Sequence, residues 1–194
     1  DQWQGPPRDN QPLNAGTWTE EYLGKPPDAK DRWWNGPCSD FTTYHPKGPY
    51  GKAGMKRAVA DIKAAGLTPG LWLLPFAWNP TCDALRDHHD WFVKQPNGSL
   101  YYAFWAGWCL DMTHPDARGY VRDVIRTAVR EWGYPYLKLD FLYSAALPGA
   151  FYDRTKTRAQ VLRQALELIR EEAGEDAILL GCGCPLGSGI GIFD

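Results

Sequence analysis

Apolar positions fall into two rhythms along this chain. Between residues 53 and 65, Met55, Val59 and Ile62 recur at helical spacing, and Gly66 ends the run. Leu67 to Ala77 is instead a continuous apolar stretch bounded by glycine and proline, which predicts a buried strand. A short helix is expected from Cys82 to His89, a turn at Gln95–Gly98, and a strand at Cys109–Met112. His114-Pro115 then opens a helix, with proline at the first helical position, where its missing N–H costs nothing. Its stripe is Val121, Val124, Ile125, Ala128, Val129 and Trp132, and Gly133 closes it. Tyr136–Leu142 predicts a strand, Val161, Leu162, Ala165, Leu166 and Ile169 a second striped helix ending at Gly174, and Ala177–Cys182 a last strand.

Strands alternating with helices, the strands nearly continuous in apolar residues, predict parallel βαβ units covered on both faces. Four strands are expected. No glycine-rich phosphate fingerprint follows any of them, which argues against a dinucleotide-binding fold. Polar and aromatic residues stand at the strand C-termini instead: Trp72, Asp111, Lys138, Asp140 and Cys182. In a (β/α)8 barrel, that end carries the chemistry. Such a barrel needs about 250 residues. The fold class expected is therefore α/β, a partial (β/α)8 TIM barrel. The single domain, residues 1–194, reads as the N-terminal half of a barrel, incomplete at both ends. Residues 1 to about 50 are rich in Pro, Gly, Asp and Trp without sustained periodicity, and read as a long loop near a site.

Composition changes this picture little. An apolar fraction of 44% and a charged fraction of 23% are ordinary for a soluble domain. A net charge of −2 gives no reason to expect nucleic acid or an anionic membrane as partner, and no apolar run is long enough to span a bilayer. The first residue, Asp1, is read as other than a native start, which leaves the compartment open with the cytoplasm favoured. Five cysteines at irregular spacing argue against a disulfide framework, and Cys182-Gly183-Cys184 lacks the second pair that a zinc site needs. No metal or cofactor is expected. Ten Trp and ten Tyr exceed what a core of this size needs, and their flat faces suit sugar rings as well as packing.

The sharpest candidate chemistry is Lys138 with Asp140. Two residues apart on a strand, they share one face. A carboxylate at a rigid strand end is positioned before substrate arrives, and an ammonium beside it favours its ionised form. Retaining glycoside hydrolases use such a carboxylate as nucleophile, with a second carboxyl group about 5–5.5 Å away as acid/base. A buried ion pair is the competing explanation.

The surrounding residues carry a resemblance. Tyr136-Leu137-Lys138-Leu139-Asp140-Phe141-Leu142-Tyr143, followed by Ala145-Ala146-Leu147-Pro148-Gly149, resembles the nucleophile segment of the α-galactosidases of glycoside hydrolase family 36. Gly70-Leu71-Trp72-Leu73-Leu74-Pro75-Phe76 looks like that family's second barrel strand. Leu110-Asp111-Met112-Thr113-His114-Pro115 is similar to its third strand and helix start, and Gly174–Gly183 to a later strand. His89-Asp90-Trp91 is similar to a His-Pro-Asp-Trp segment with histidine in place of proline.

The resemblance implies the following roles. Asp140 is the nucleophile of a retaining α-galactosidase. Lys138 hydrogen-bonds galactose hydroxyls, Trp72 packs against the sugar, and Cys182 lines the pocket floor. Asp1 falls on the second residue of an Asp-Asp pair that grips the 4- and 6-hydroxyls, although Gln2-Trp3 departs from the usual small residue before the aromatic. Asp40-Phe41 resembles a substrate-binding Gly-Asp-Trp segment with Phe for Trp. The acid/base Asp is expected beyond Asp194, so the isolated chain is expected to be inactive. The partner implied is an α-galactoside oligosaccharide; oligomerisation of the full-length enzyme is left open.

Alternatives within the same chemistry are an α-N-acetylgalactosaminidase, a galactosyl-transferring relative or a hydrolase of another α-linked sugar. A non-catalytic carbohydrate-binding barrel is the alternative of another class. His88-His89 beside Asp90 is read as packing rather than a metal site, Asp111 as structural, and Asp61, Asp123 and Arg170-Glu171-Glu172 as solvated helix faces.

Overall fold

The computed structural model describes residues 54–78, 87–103 and 106–194. Asp1, Asp40, the long N-terminal segment and most of the helix expected at Cys82–His89 lie outside the described residues. Helix α1 spans Gly54–Ala64, and strands β1 (Gly70–Leu73), β2 (Ala77–Trp78), β3 (Tyr102–Ala103) and β4 (Gly107–Cys109) follow. Then come α2 (Pro115–Arg126), β5 (Tyr136–Leu139), α3 (Arg158–Ala173), β6 (Ile178–Gly181) and a one-turn helix α4 (Leu186–Gly189).

The main sheet is parallel in the order β1-β5-β6, with Trp72, Lys138 and Leu180 aligned across it, and Leu71, Leu137 and Leu179 aligned one residue earlier. Alternation then divides the two faces. Leu71, Leu73, Leu137, Leu139 and Leu179 are all buried and join one cluster with Val59 of α1, Val121, Val124 and Ile125 of α2, and Val161, Leu162, Leu166 and Ile169 of α3. Burying a side chain of this kind stabilises by about 1.5–3 kcal/mol, so this helix-covered face holds the fold together. The opposite face carries Trp72, Lys138 and two exposed apolar side chains, Ile178 (50%) and Leu180 (40%). A barrel turns that face inward. The architecture is that of part of a (β/α)8 barrel.

Among the described residues three parallel strands form where four are expected. The apolar run Leu67–Ala77 divides at Pro75, which has no N–H to donate to a ladder, and its second half enters a separate antiparallel sheet of order β2-β4-β3. Of the strand expected at Cys109–Met112, only Cys109 is in a strand, and it pairs with Ala77 of that second sheet. Asp111 ends the extended run locally. Its Oδ1 accepts from Thr113 N (2.8 Å) and Thr113 Oγ1 (2.6 Å), turning the chain toward α2.

The two long helices begin and end as their sequences direct. The His114 side chain caps α2, accepting from Asp116 N at 3.3 Å, and Pro115 follows it. The C-terminal end of α2 widens into a π turn, Thr127–Glu131, in which Trp132 N donates to Thr127 O. Gly133 then takes the left-handed φ of 85° that reverses the chain toward β5. Thr157 and Gln160 form a reciprocal capping box on α3.

The reading of Arg170 and Glu172 as a solvated face needs correction. Glu172 is buried between α2 and α3, paired with Arg122 (2.9 Å) and Arg126 (3.2 Å). Arg170 lies mostly buried and donates to Ala177 O, Ile192 O and the Asp194 carboxylate, strapping the last residues to the helix. Asp61 and Asp123 are exposed as expected, each within one turn of an arginine partner.

Candidate active site

Three neighbouring strand ends build the site. Asp140 directly follows β5, and its N–H donates to Leu73 O at the end of β1 (2.8 Å). The Cys182 N–H donates to Leu139 O (2.8 Å), placing the residue after β6 on the other side. Lys138 and Asp140 share a face by alternation, and Trp72 stands beside Lys138 in the ladder. The four described residues expected at the site are therefore brought together.

The Asp140 carboxylate is held at both oxygens. Oδ2 accepts from Trp72 Nε1 at 2.9 Å, and Oδ1 accepts from the backbone N–H of Phe141 at 2.8 Å. Phe141 is in the left-handed conformation (φ 50°, ψ 38°), so the chain leaves the strand abruptly after the carboxylate. Gly183 sits against this bend. A side chain there would bring its Cβ to 3.3 Å from Phe141 Cα, and its own φ is 61°. Two hydrogen bonds, Leu142 N to Cys182 O (3.3 Å) and Tyr143 N to Gly183 O (2.9 Å), fasten the loops after β5 and β6 together.

Charge is distributed accordingly. The hydrogen bond of the Cys182 thiol with Asp140 raises its pKa, reinforced by burial and by the carboxylate's charge and opposed by Lys138. Cys182 therefore faces Asp140 as a neutral thiol. Burial raises the Tyr143 phenol, with further upward pushes from Cys109 and Asp140. Cys109 lies deeper, and burial pushes its thiol up to about 12. A thiol of that kind is unreactive near neutrality. Iodoacetamide at pH 8 is expected to leave Cys109 unmodified in the folded protein and to alkylate it in urea, read by peptide mass spectrometry; equal labelling in both would show the β2-β4-β3 sheet to be open.

Asp111 stands apart from Asp140 and serves as a brace, as its structural reading predicts. Besides the Thr113 contacts, its Oδ2 accepts from Tyr152 N (2.6 Å), while Thr113 Oγ1 accepts from Asp153 N (2.9 Å). The pair ties the start of α2 to the segment before α3. Asp90 meets His114 Nε2 at 3.6 Å, and His88 stacks on Trp91 with ring centroids 3.9 Å apart. Among the described residues no three His, Cys, Asp or Glu side chains are grouped to hold a metal ion, and no helix is long and apolar enough to cross a membrane.

Phe141, Tyr143 and Gly183 were given no role in the sequence reading. The signal for Gly183 was present, since a glycine directly after a strand-end residue often marks close backbone approach. Nothing in the sequence announced the left-handed Phe141.

A carboxylate, a lysine, an aromatic and a thiol gather at the C-terminal ends of neighbouring parallel strands, the end at which (β/α)-barrels carry their chemistry. The melibiase family model matches residues 39–170, and the chain belongs to that family. It is 24% identical to an α-galactosidase of Escherichia coli over an alignment covering 82% of this chain and 26% of that protein. The fold superposes with a TM-score of 0.63 on an α-galactosidase from Thermus thermophilus, 34% identical, solved with p-nitrophenyl α-D-galactopyranoside and with stachyose. That match covers 77% of this chain and 30% of the Thermus chain. A family 36 α-galactosidase from Geobacillus stearothermophilus shares the fold at 19% identity and a TM-score of 0.58, over 74% of this chain and 20% of that one. The chain thus spans under a third of the length of these relatives.

Proposed function

We propose that this chain is the N-terminal half of the catalytic barrel of a retaining α-galactosidase, incomplete at both ends, which removes terminal α-D-galactosyl groups from oligosaccharides through a galactosyl-enzyme intermediate on Asp140. The observation that carries this is the Asp140 carboxylate at the C-terminal end of β5, aimed by Trp72 and Phe141, with Lys138 on the same strand face. The Thermus relative, bound to a galactoside and to stachyose, supports the substrate class.

In the first step an Asp140 oxygen forms a bond to the anomeric carbon while the glycosidic C–O bond breaks. The departing oxygen takes a proton from an acid expected beyond Asp194. In the second step a water oxygen attacks the same carbon, gives its proton to that acid/base, and Asp140 leaves as carboxylate. Lys138 donates to sugar hydroxyls and balances the carboxylate charge, the Trp72 ring packs on the sugar, and Cys182 closes the pocket floor. Asp1 and Asp40, outside the described residues, are the expected ligands of the galactose hydroxyls.

A labelled mechanism-based galactosyl inhibitor should attach to Asp140 in the full-length parent enzyme, located by peptide mass spectrometry. Attachment to any other residue removes the assignment.

A further inference from the structure

We propose that Trp72 is a positioning residue for the nucleophile, acting through its indole N–H in addition to any contact of its ring with the sugar. The inference rests on Asp140 being the nucleophile.

The Trp72 Nε1 atom donates to Asp140 Oδ2 at 2.9 Å across 68 residues of sequence. The other oxygen, Oδ1, is held at 2.8 Å by the N–H of Phe141, a group fixed by the left-handed bend. These two donors, one on each oxygen, act together with the hydrogen bond of the Cys182 thiol and leave the carboxylate little freedom to turn about its Cβ–Cγ bond. That torsion is otherwise broad for aspartate. A nucleophile that must meet an anomeric carbon in line gains rate from being held in the attacking orientation beforehand.

Trp72 is suited to this task because its own backbone is part of the sheet. It sits in β1 between Leu71 and Leu73, each 1% exposed, and pairs in register with Lys138. The donor therefore comes from a neighbouring strand and does not depend on the loop after β5. Tryptophan also separates two functions geometrically: the ring face can pack against sugar while the N–H edge holds the carboxylate. A phenylalanine would keep much of the first function and lose the second.

The effect falls on the covalent step. A hydrogen bond to a charged group, lost from an otherwise intact site, corresponds to about a ten- to hundredfold change in rate. Ground-state galactose binding, which uses the ring face and the hydroxyl ligands, should change little.

The test uses the full-length enzyme with the Trp72 indole replaced by benzothiophene, which keeps the ring face and exchanges N–H for sulfur, and with Trp72→Phe as second variant. The quantities read are the saturating rate of Asp140 labelling by the mechanism-based galactosyl inhibitor and the dissociation constant of galactose. The expected result is labelling slowed about ten- to hundredfold in both variants, with galactose affinity within a few-fold of wild type for the benzothiophene enzyme, which also shows that its site is folded. Wild-type labelling rates in the benzothiophene enzyme would overturn the inference, and so would a pure loss of galactose affinity, since the ring would then be a platform only. Wild-type enzyme labelled at a residue other than Asp140 overturns the nucleophile assignment instead, so the two failures are distinguishable.

Discussion

Replacing Asp140 by alanine in the full-length parent enzyme is expected to lower turnover of p-nitrophenyl α-galactoside by about four to six orders of magnitude, the scale on which a removed nucleophile is felt when the rest of the site is left in place. Galactose affinity should survive, because Lys138 and Trp72 hold positions in β5 and β1 that do not depend on the Asp140 carboxylate. Azide should restore part of the activity. The space left by the carboxylate is bounded by Trp72 Nε1 and the Phe141 N–H, two donors suited to a small anion. Azide entering from that side attacks the face of the anomeric carbon opposite the leaving group, so the product is the β-galactosyl azide. Turnover close to wild type in the variant would keep the family but move the nucleophile elsewhere. Loss of turnover with no azide product would assign Asp140 a role in holding the site together.

The helices and the centre of the site were legible in the sequence for a simple reason. Burial of α2 and α3 is one-sided, so the stripes Val121–Ala128 and Val161–Ile169 mark the faces that enter the core beneath the parallel sheet. Strand-end polar residues in apolar runs likewise identified Trp72, Lys138, Asp140 and Cys182, which lie together. Apolar continuity, by contrast, reports burial and not the identity of the pairing partner. Leu67–Ala77 is a single run by composition, yet its two strands belong to different sheets because Pro75 interrupts it. Cys109 is wholly buried for a strand that never joins the parallel sheet. Glu172 reads as part of a solvated face because it is a charged residue near a helix end, yet it is buried. Its two arginine partners lie on another helix, 46 and 50 residues earlier, and no local pattern encodes such a pairing.

The same limit applies in part to Asp111, which joins a local partner, Thr113, to one 41 residues further along the chain, Tyr152, and its substitution should cost substantial stability. Asp111 is 2% exposed and accepts three hydrogen bonds, from Thr113 N, Thr113 Oγ1 and Tyr152 N, at 2.8, 2.6 and 2.6 Å. Asp111→Ala removes both acceptor oxygens at once and leaves two part-buried backbone N–H groups and a hydroxyl without them. Each such orphan costs about 1–3 kcal/mol, and bonds to a charged acceptor are the stronger kind. The expected loss is about 2–4 kcal/mol, read as a lower melting temperature. Asp111→Asn should lose about half as much, since its amide keeps one oxygen acceptor but presents N–H groups to the donor on the other side. Thermal melting of the two variants of the parent enzyme checks both the size and the order. Near-wild-type melting for the alanine variant would show that the segment before α3 is held by other contacts. The order also bears on function, because Tyr152 and Asp153 lie in the segment that runs from the bend after Asp140 to α3. A brace 29 residues from Asp140 in sequence thereby holds the segment whose near end sets that carboxylate.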